Sequence, residues 1–303
     1  MVKIGGEEFA TVTIAEIQRG IDKKEAKGTY ADFFSRKMTV IVTIAFGLAF
    51  FQQITGINAI FYYAPTIFEQ AGGSSDASFL QAIVVGLTNV IFTFVAIWLI
   101  DRLGRKPLLL IGTSSMAIAL IMATLAFNNA SYHFDTKAIE KVENSEIQAA
   151  LSQLNGSTYF SQKELFSKVE PLLTEAQFIS FKQNEIKNFI NINAVLVLIA
   201  ILLYVAAFAI SLGPVMWTML SEIFPGNVKG IAISIVGFFN SLVSYTVTQF
   251  FPWELTNLGP TLTFAIYAGL AVLSIAFVSR FVVETKGKTL EEVQELLIKS
   301  EEE

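Results

Sequence analysis

The sequence predicts an all-α, multi-span membrane protein with six transmembrane helices, and three observations predict it. Of 303 residues, 53% are apolar and only 16% are charged, against about 25% charge in a soluble domain. Six long apolar stretches cover residues 38–68, 79–100, 107–127, 191–220, 230–253 and 259–283, each near or above the ~20 residues that span a bilayer as a helix. The first five contain no Asp, Glu, Lys or Arg, and the sixth holds only Arg280, near its end, where a long cationic side chain reaches the interface. The runs lack the alternation of roughly 10-residue barrel strands, which excludes a closed β-barrel.

Composition removes several function classes. The net charge of −5 has no basic excess, so nucleic acid is not an expected partner. With no cysteine there is no disulfide framework, thiolate chemistry or cysteine zinc site. The single histidine, His133, rules out a multi-histidine metal centre, and it sits at the edge of a polar loop, a poor place for a protease-type base. No cofactor is expected, and no covalent chemistry. The first ten residues, MVKIGGEEFA, have no apolar core of a signal peptide.

Along the chain, residues 1–37 read as amphipathic and too polar to span. Thr13-x-x-Glu16 is a candidate capping box followed by Ile14, Ile17 and Ile21 on one face. The lysines and arginines then set orientation. Seven lie in 1–37, three in 101–106, one in 221–229 and four in 280–303, while the short connections 69–78 and 254–258 have none. The positive-inside rule therefore places both termini in the cytoplasm. Segment 128–190 falls outside, and its Ser161-x-x-Glu164 cap and spaced Leu165, Val169 and Leu172 predict a small helical cap. Phe178, Phe181, Ile186 and Phe189 suggest a further helix. In the tail, Thr289-x-x-Glu292 caps a short helix bearing Leu290, Val293, Leu296 and Leu297.

With no charge at mid-membrane, neutral polar groups and helix breakers carry the information. The first span contains Gln52, Gln53 and Asn58, then Tyr62, Tyr63 and Pro65. Unsatisfied amides facing lipid cost several kcal/mol each, so they meet protein, water or ligand. An amide both donates and accepts, as a hydroxyl does, so the cluster suits a neutral polyol; interhelical hydrogen-bond glue is the other reading. One straight helix would not aim all three inward, and Gly56 offers a break. Asn89 interrupts the second span. In the fourth, Pro214 kinks the helix, and Trp217 is either a packed side chain or a face for a sugar. The fifth adds Asn240, with Gln249 further along. Asp101–Pro107 and Ser221–Pro225 with Lys229 form compact charged turns.

These residues fall into four ordered signatures. They are Gln52-Gln53-x-x-Gly56-Ile57-Asn58 with Tyr62-Tyr63, Asp101-Arg102-x-Gly104-Arg105-Lys106-Pro107, Gly213-Pro214 with Trp217 through Pro225, and Glu284-Thr285-Lys286-Gly287-x-Thr289-Leu290-Glu291-Glu292. Together, over 38–295, they resemble the C-terminal six-helix half of the sugar porter family of the major facilitator superfamily, which includes bacterial xylose–proton symporters and facilitative glucose transporters. The insertion 128–190 lies outside the resemblance. It implies a division into 1–37 as linker helices, 38–127 as family helices seven to nine, 128–190 as the insertion, 191–283 as helices ten to twelve and 284–303 as a cytoplasmic tail.

The resemblance further implies alternating-access transport of a monosaccharide, hexose or pentose, through a plasma or inner membrane. A non-transporting membrane sugar sensor is the alternative. Gln52, Gln53, Asn58, Asn89, Trp217 and Asn240 would contact sugar, and Tyr62 and Tyr63 would form an outer gate. Arg105, Lys106, Glu222 and Lys229 would form an inner ion-pair lock. The partners implied are a monosaccharide, the lipid bilayer and a missing N-terminal six-helix half. Several positions depart from the family pattern: Ser241 replaces a frequent aromatic, Ala209 stands where some relatives have an acid, Lys229 replaces an arginine and Val283 a proline.

Overall fold

The computed structural model describes residues 28–289 and 292–293. The amphipathic segment expected around Thr13–Ile21 and the tail positions Leu290, Leu296 and Leu297 lie outside them. The tail cap itself is described: the Thr289 amide donates to Glu292 at 2.8 Å and the Glu292 amide to the Thr289 hydroxyl at 3.3 Å.

Among the described residues, six helices or broken helices are long and apolar enough to cross a membrane: Arg36–Tyr62, Asp76–Leu103, Arg105–Asn128, Ala194–Ile223, Gly226–Asn257 and Gly259–Phe281. Before the first, α1 (Tyr30–Phe33) is one turn closed by a Thr29–Asp32 capping box, and it buries Phe33 against Phe224 with ring centroids 5.9 Å apart. The first span is broken. α2 (Thr39–Ile54) ends at Gly56, whose φ of +94° is open to glycine without steric cost, and the chain restarts as α3 (Ile57–Tyr62) and α4 (Ala64–Gln70). A Cβ at Gly56 would also stand 3.2 Å from the ring of Tyr267. The Thr55 carbonyl at the break accepts from the Tyr204 hydroxyl at 2.8 Å. Ser74 caps α5 (Ser75–Leu103), and Gly104 alone separates it from α6 (Arg105–Asn128).

The insertion follows. It consists of β1 (Ser131–His133), α7 (Thr136–Glu140), α8 (Ser145–Leu151), β2 (Thr158–Tyr159), α9 (Gln162–Val169), α10 (Glu175–Ser180) and β3 (Ile190–Asn191). Its strands form an antiparallel sheet in the order β2-β1-β3, an addition to the otherwise helical architecture. The Ser161 cap forms as the pattern predicts, with the Glu164 amide on the Ser161 hydroxyl at 3.2 Å. The helix expected through Phe178–Phe189 is interrupted: α10 stops at Ser180 and a wide turn over Phe181–Glu185 follows. Phe189 instead stacks on Phe134, centroids 4.1 Å apart, in a core shared with Ile147, Leu165 and Phe181 and separate from that of the bundle. Lys187 pairs with Glu69 at 3.7 Å, and Gln162 lies against Gly259, so the insertion is fixed to the ends of the spans.

The fourth span is broken as well, into α11 (Ala194–Ile210) and α12 (Leu212–Ile223), with Ser211 between them at ψ −101°. The sequence places the kink at Pro214; the break appears three residues earlier. A proline ring excludes the carbonyl four residues before it, here Ile210, and removes the N–H that would bond to it. α13 (Gly226–Asn257) runs through Pro252, and Gly259 at φ +79° turns into α14 (Gly259–Phe281). α6 packs against α14 and α11, and α2 against α13. α5 and α13 are the least covered spans: 11% and 28% of their apolar stretches are buried, against 61% for Ala194–Ile223.

Glu185, buried in the insertion, generates a pH prediction. Burial holds its carboxyl above the usual value of 4.5, and the neighbouring Glu143 charge adds to this, partly offset by bonds from Glu143 and Asn188 and by Lys187. A raised folded-state value means that the folded form holds the proton more tightly. The contribution is complete below 4.5 and declines as pH rises through the elevated value. Amide exchange of the insertion core should therefore show stability falling across that window in the parent and no such fall in Glu185→Gln.

Candidate functional site

The break at Gly56 turns Asn58 toward the same place as the two glutamines of α2. Gln52 is buried at 3% exposure, Gln53 at 7% and Asn240, from α13, at 6%. Gln52 donates to the carbonyls of Leu212 at 2.9 Å and Gly213 at 3.2 Å. Gln53 donates to Asn240 Oδ1 at 3.1 Å and Gln52 Oε1 at 3.3 Å. Asn240 donates to Gln52 Oε1 at 2.8 Å and the Ala49 carbonyl at 3.0 Å. Asn58, half-buried, donates to Gln53 Oε1 at 2.9 Å and the Ser244 hydroxyl at 2.7 Å.

Each amide has two N–H donors, and these eight bonds use all of them. The acceptors are not exhausted. Gln53 Oε1 and Asn240 Oδ1 each receive one bond, and among the described residues Asn58 Oδ1 receives none. An oxygen of this type has room for two. The network thus stands ready to receive hydrogen-bond donors at its half-buried edge.

Four of the six residues expected to contact sugar are brought together: Gln52, Gln53, Asn58 and Asn240. Asn89 is not. It is half-buried on α5, no side-chain hydrogen bond holds it to the network, and only its carbonyl is engaged, by Thr93 at 2.7 Å. Trp217 is 43% exposed with its six-membered ring beside Gly237 of α13, about 6 Å along α12 from the Gly213 carbonyl at 1.5 Å per residue. Of the two tyrosines, Tyr62 is exposed, whereas Tyr63 stacks on Phe251 at 5.6 Å. Ser244, which no sequence motif singles out, joins the network through Asn58. Its signal is its position one turn beyond Asn240 on the same helix, which places both on one face.

A second cluster lies at the lysine- and arginine-rich end. Arg105 grips Glu222 through Nη2 at 2.6 Å and Nε at 3.1 Å, and the Thr285 hydroxyl donates to the same carboxylate at 2.6 Å. Glu284 accepts from the amides of Arg105 and Lys106, both at 3.0 Å, and so caps the start of α6. Gly104 suits the position because its φ of +92° is a backbone conformation that side chains rarely adopt, and a Cβ there would also press on the Glu284 carboxylate. Lys106 does not join Glu222: its Nζ donates to the Ser279 carbonyl in the last turn of α14 at 3.0 Å. Lys286 closes α5 by donating to Arg102 O at 2.7 Å. Lys229 lines the same depression as Arg105 and Glu222. Glu284 and Thr285 belong to a quoted signature, yet only their contacts reveal what they hold.

Six spans, two of them broken beside one buried amide network, form half of a major facilitator fold. The chain matches the family model described as Sugar (and other) transporter over residues 1–142 and 173–297, and it belongs to that family. It is 31% identical over 300 residues to the D-xylose-proton symporter of Escherichia coli (strain K12), a match covering 97% of this chain and 48% of the relative. It is 31% identical over 299 residues to the arabinose-proton symporter of Bacillus subtilis (strain 168), covering 99% and 51%. A solved structure of a proton:xylose symporter bound to 6-bromo-6-deoxy-D-glucose superposes with a TM-score of 0.64 at 31% identity, covering 98% of this chain and 50% of that one. The chain spans about half the length of these relatives.

The bonding pattern distinguishes hub from edge. Gln52→Ala removes four hydrogen bonds and leaves Asn240 and Gln53 donors unpaired, whereas Asn58→Ala removes two at the half-buried edge. Thermal unfolding in detergent should show a loss of about 2–3 kcal/mol for Gln52→Ala and about 1 kcal/mol for Asn58→Ala.

Proposed function

We propose that this chain supplies the C-terminal half of a monosaccharide transporter that works by alternating access. The carrying observation is the network whose N–H donors are all used while acceptors at Asn58, Gln53 and Asn240 remain open. Sugar hydroxyls can donate to such acceptors, and Trp217, exposed one turn along α12 from Gly213, offers an apolar face for the C–H surface of a sugar. The names of the relatives, symporters of D-xylose and arabinose, support a pentose, and the glucose derivative bound in the solved symporter structure supports a hexose. The exposed faces of α5 and α13 are the surfaces on which a second six-span unit would close the site from the other side. No covalent step is involved.

In this reading the charged end faces the cytoplasm with both termini, and the insertion faces outward. Tyr62 and Tyr63 stand at the outer mouth. Arg105, Glu222 and Lys229 hold the inner mouth shut, with Lys106 and Glu284 fixing the helix ends that carry them.

Two expected outcomes test this reading. In proteoliposomes carrying this half together with the unit that completes it, sugars with a recognised hydroxyl replaced by fluorine should compete as poorly as the deoxy sugars. Fluorine accepts but does not donate, and losing one such bond costs about 1–1.5 kcal/mol, up to roughly tenfold. Fluorosugars that keep the parent affinity would refute hydroxyl donation. Separately, Glu222→Gln removes the closer of the two ionic partners of Arg105 and leaves only Asp101, at 3.4 Å; it should increase labelling of the cytoplasmic side at the expense of the outward-open state, and unchanged labelling would remove this pair from the lock.

A further inference from the structure

Two large apolar side chains of the insertion are exposed outside its own core, Ile179 and, to a far greater extent, Phe160. Phe134, Phe181 and Phe189 are buried within it, while Phe160, between β2 and α9, is 72% exposed. That residue overhangs an uncharged depression of about 290 Å³ whose lining includes Phe127 and Asn128 from the last turn of α6, Thr261 and Leu262 from the first turn of α14, and Gln162 of the insertion. The depression therefore sits where two spans end.

Both of those spans present an apolar stripe on the protein surface. On α6 it runs through Ile111, Ile118 and Leu125, and on α14 through Leu273, Ile266 and Leu262. Spacings of four and seven residues keep each stripe on one helix face. The α14 stripe terminates at Leu262, under Phe160, so the exposed ring prolongs an apolar surface past the end of its helix. No residue of α5 lines the depression, and from the neighbourhood of α13 only Leu258, just after it, does. This side is thus distinct from the thinly covered faces of α5 and α13. The position of Phe160 relative to the helix ends is fixed by the Gln162 contact with Gly259 and the Lys187–Glu69 pair.

We propose that the insertion is seated on the bilayer here, with Phe160 in the boundary between headgroups and acyl chains and the depression beneath it holding part of a zwitterionic phospholipid. The uncharged lining suits a headgroup without net charge, and Asn128, Ser161, Gln162 and Thr261 supply neutral hydrogen-bonding groups at that level. The lipid-facing stripes of α6 and α14 run directly into the site, which argues for lipid over a soluble partner. The seating rests on the six spans crossing a bilayer and is independent of the identity of any sugar.

Because the chain has no cysteine, Phe160→Cys gives a single attachment point for a nitroxide label. In phosphatidylcholine nanodiscs, power saturation with oxygen and with a water-soluble nickel chelate reads its surroundings. Leu273→Cys, well inside α14 and outside the depression, serves as the in-bilayer reference and Glu140→Cys, on an exposed position of α7, as the aqueous one. An unchanged thermal unfolding temperature checks that each variant is folded. The label at 160 should be relaxed several-fold more by oxygen than by the chelate, as at 273, with the ratio inverted at 140. Chelate access at 160 equal to that at 140 would overturn the proposal. Dipolar broadening between labels at 160 would overturn it too, by showing a second copy of the chain in place of lipid.

Discussion

Gln52 is buried at 3% exposure, where no bulk water competes for its hydrogen bonds, so its polar atoms must find partners in the protein. Gln52 meets this constraint by bridging two helix breaks. It sits near the end of α2, just before the break at Gly56, and donates to Leu212 and Gly213 just beyond the break at Ser211. Tyr204 returns the connection by donating to the carbonyl of Thr55. The two breaks are therefore tied together: Tyr204 satisfies a carbonyl left at the end of α2, and Gln52 adds hydrogen bonds to carbonyls in the first turn of α12.

The arrangement fixes what the remaining amides do. With Gln52 committed to backbone, its carbonyl gathers Gln53 and Asn240, and Asn58 is left at the edge with its oxygen open. Under the proposed function, structural and ligand-facing roles fall on different residues of one cluster, and interhelical glue and ligand binding are successive layers of the same network.

The two ends of the bundle are secured by different physics. At the charged end, Glu284, Lys106 and Lys286 each meet a helix terminus of favourable sign, so the tail holds α5, α6 and α14 together. Arg105 and Glu222 add a bidentate contact, stronger and more directional than a lysine would make. At the other end a separate apolar core folds the insertion, and a few contacts attach it to the spans. A charged lattice of this kind yields to a competing ion or partner, whereas an apolar core does not.

The sequence by itself determined the six spans, because some twenty residues without charge have few alternatives to crossing a membrane. It also determined the break at Gly56, since two adjacent glutamines and Asn58 cannot share one face of a straight helix, and the caps at Ser161 and Thr289, which are local three-residue bonds. Only the tertiary structure decided the partners of the amides. Asn240 meets residues nearly two hundred positions away, Asn89 meets none of them, and Lys106 turns to α14 while Arg105 turns to Glu222. The break at Ser211 and the strands of two or three residues were likewise beyond periodicity. The first reflects a clash one turn upstream of the proline, and the second are too short to show an alternation, held by pairings across the insertion. Local bonds and solvent preference are written in neighbouring residues; which distant helix faces meet depends on packing the whole bundle.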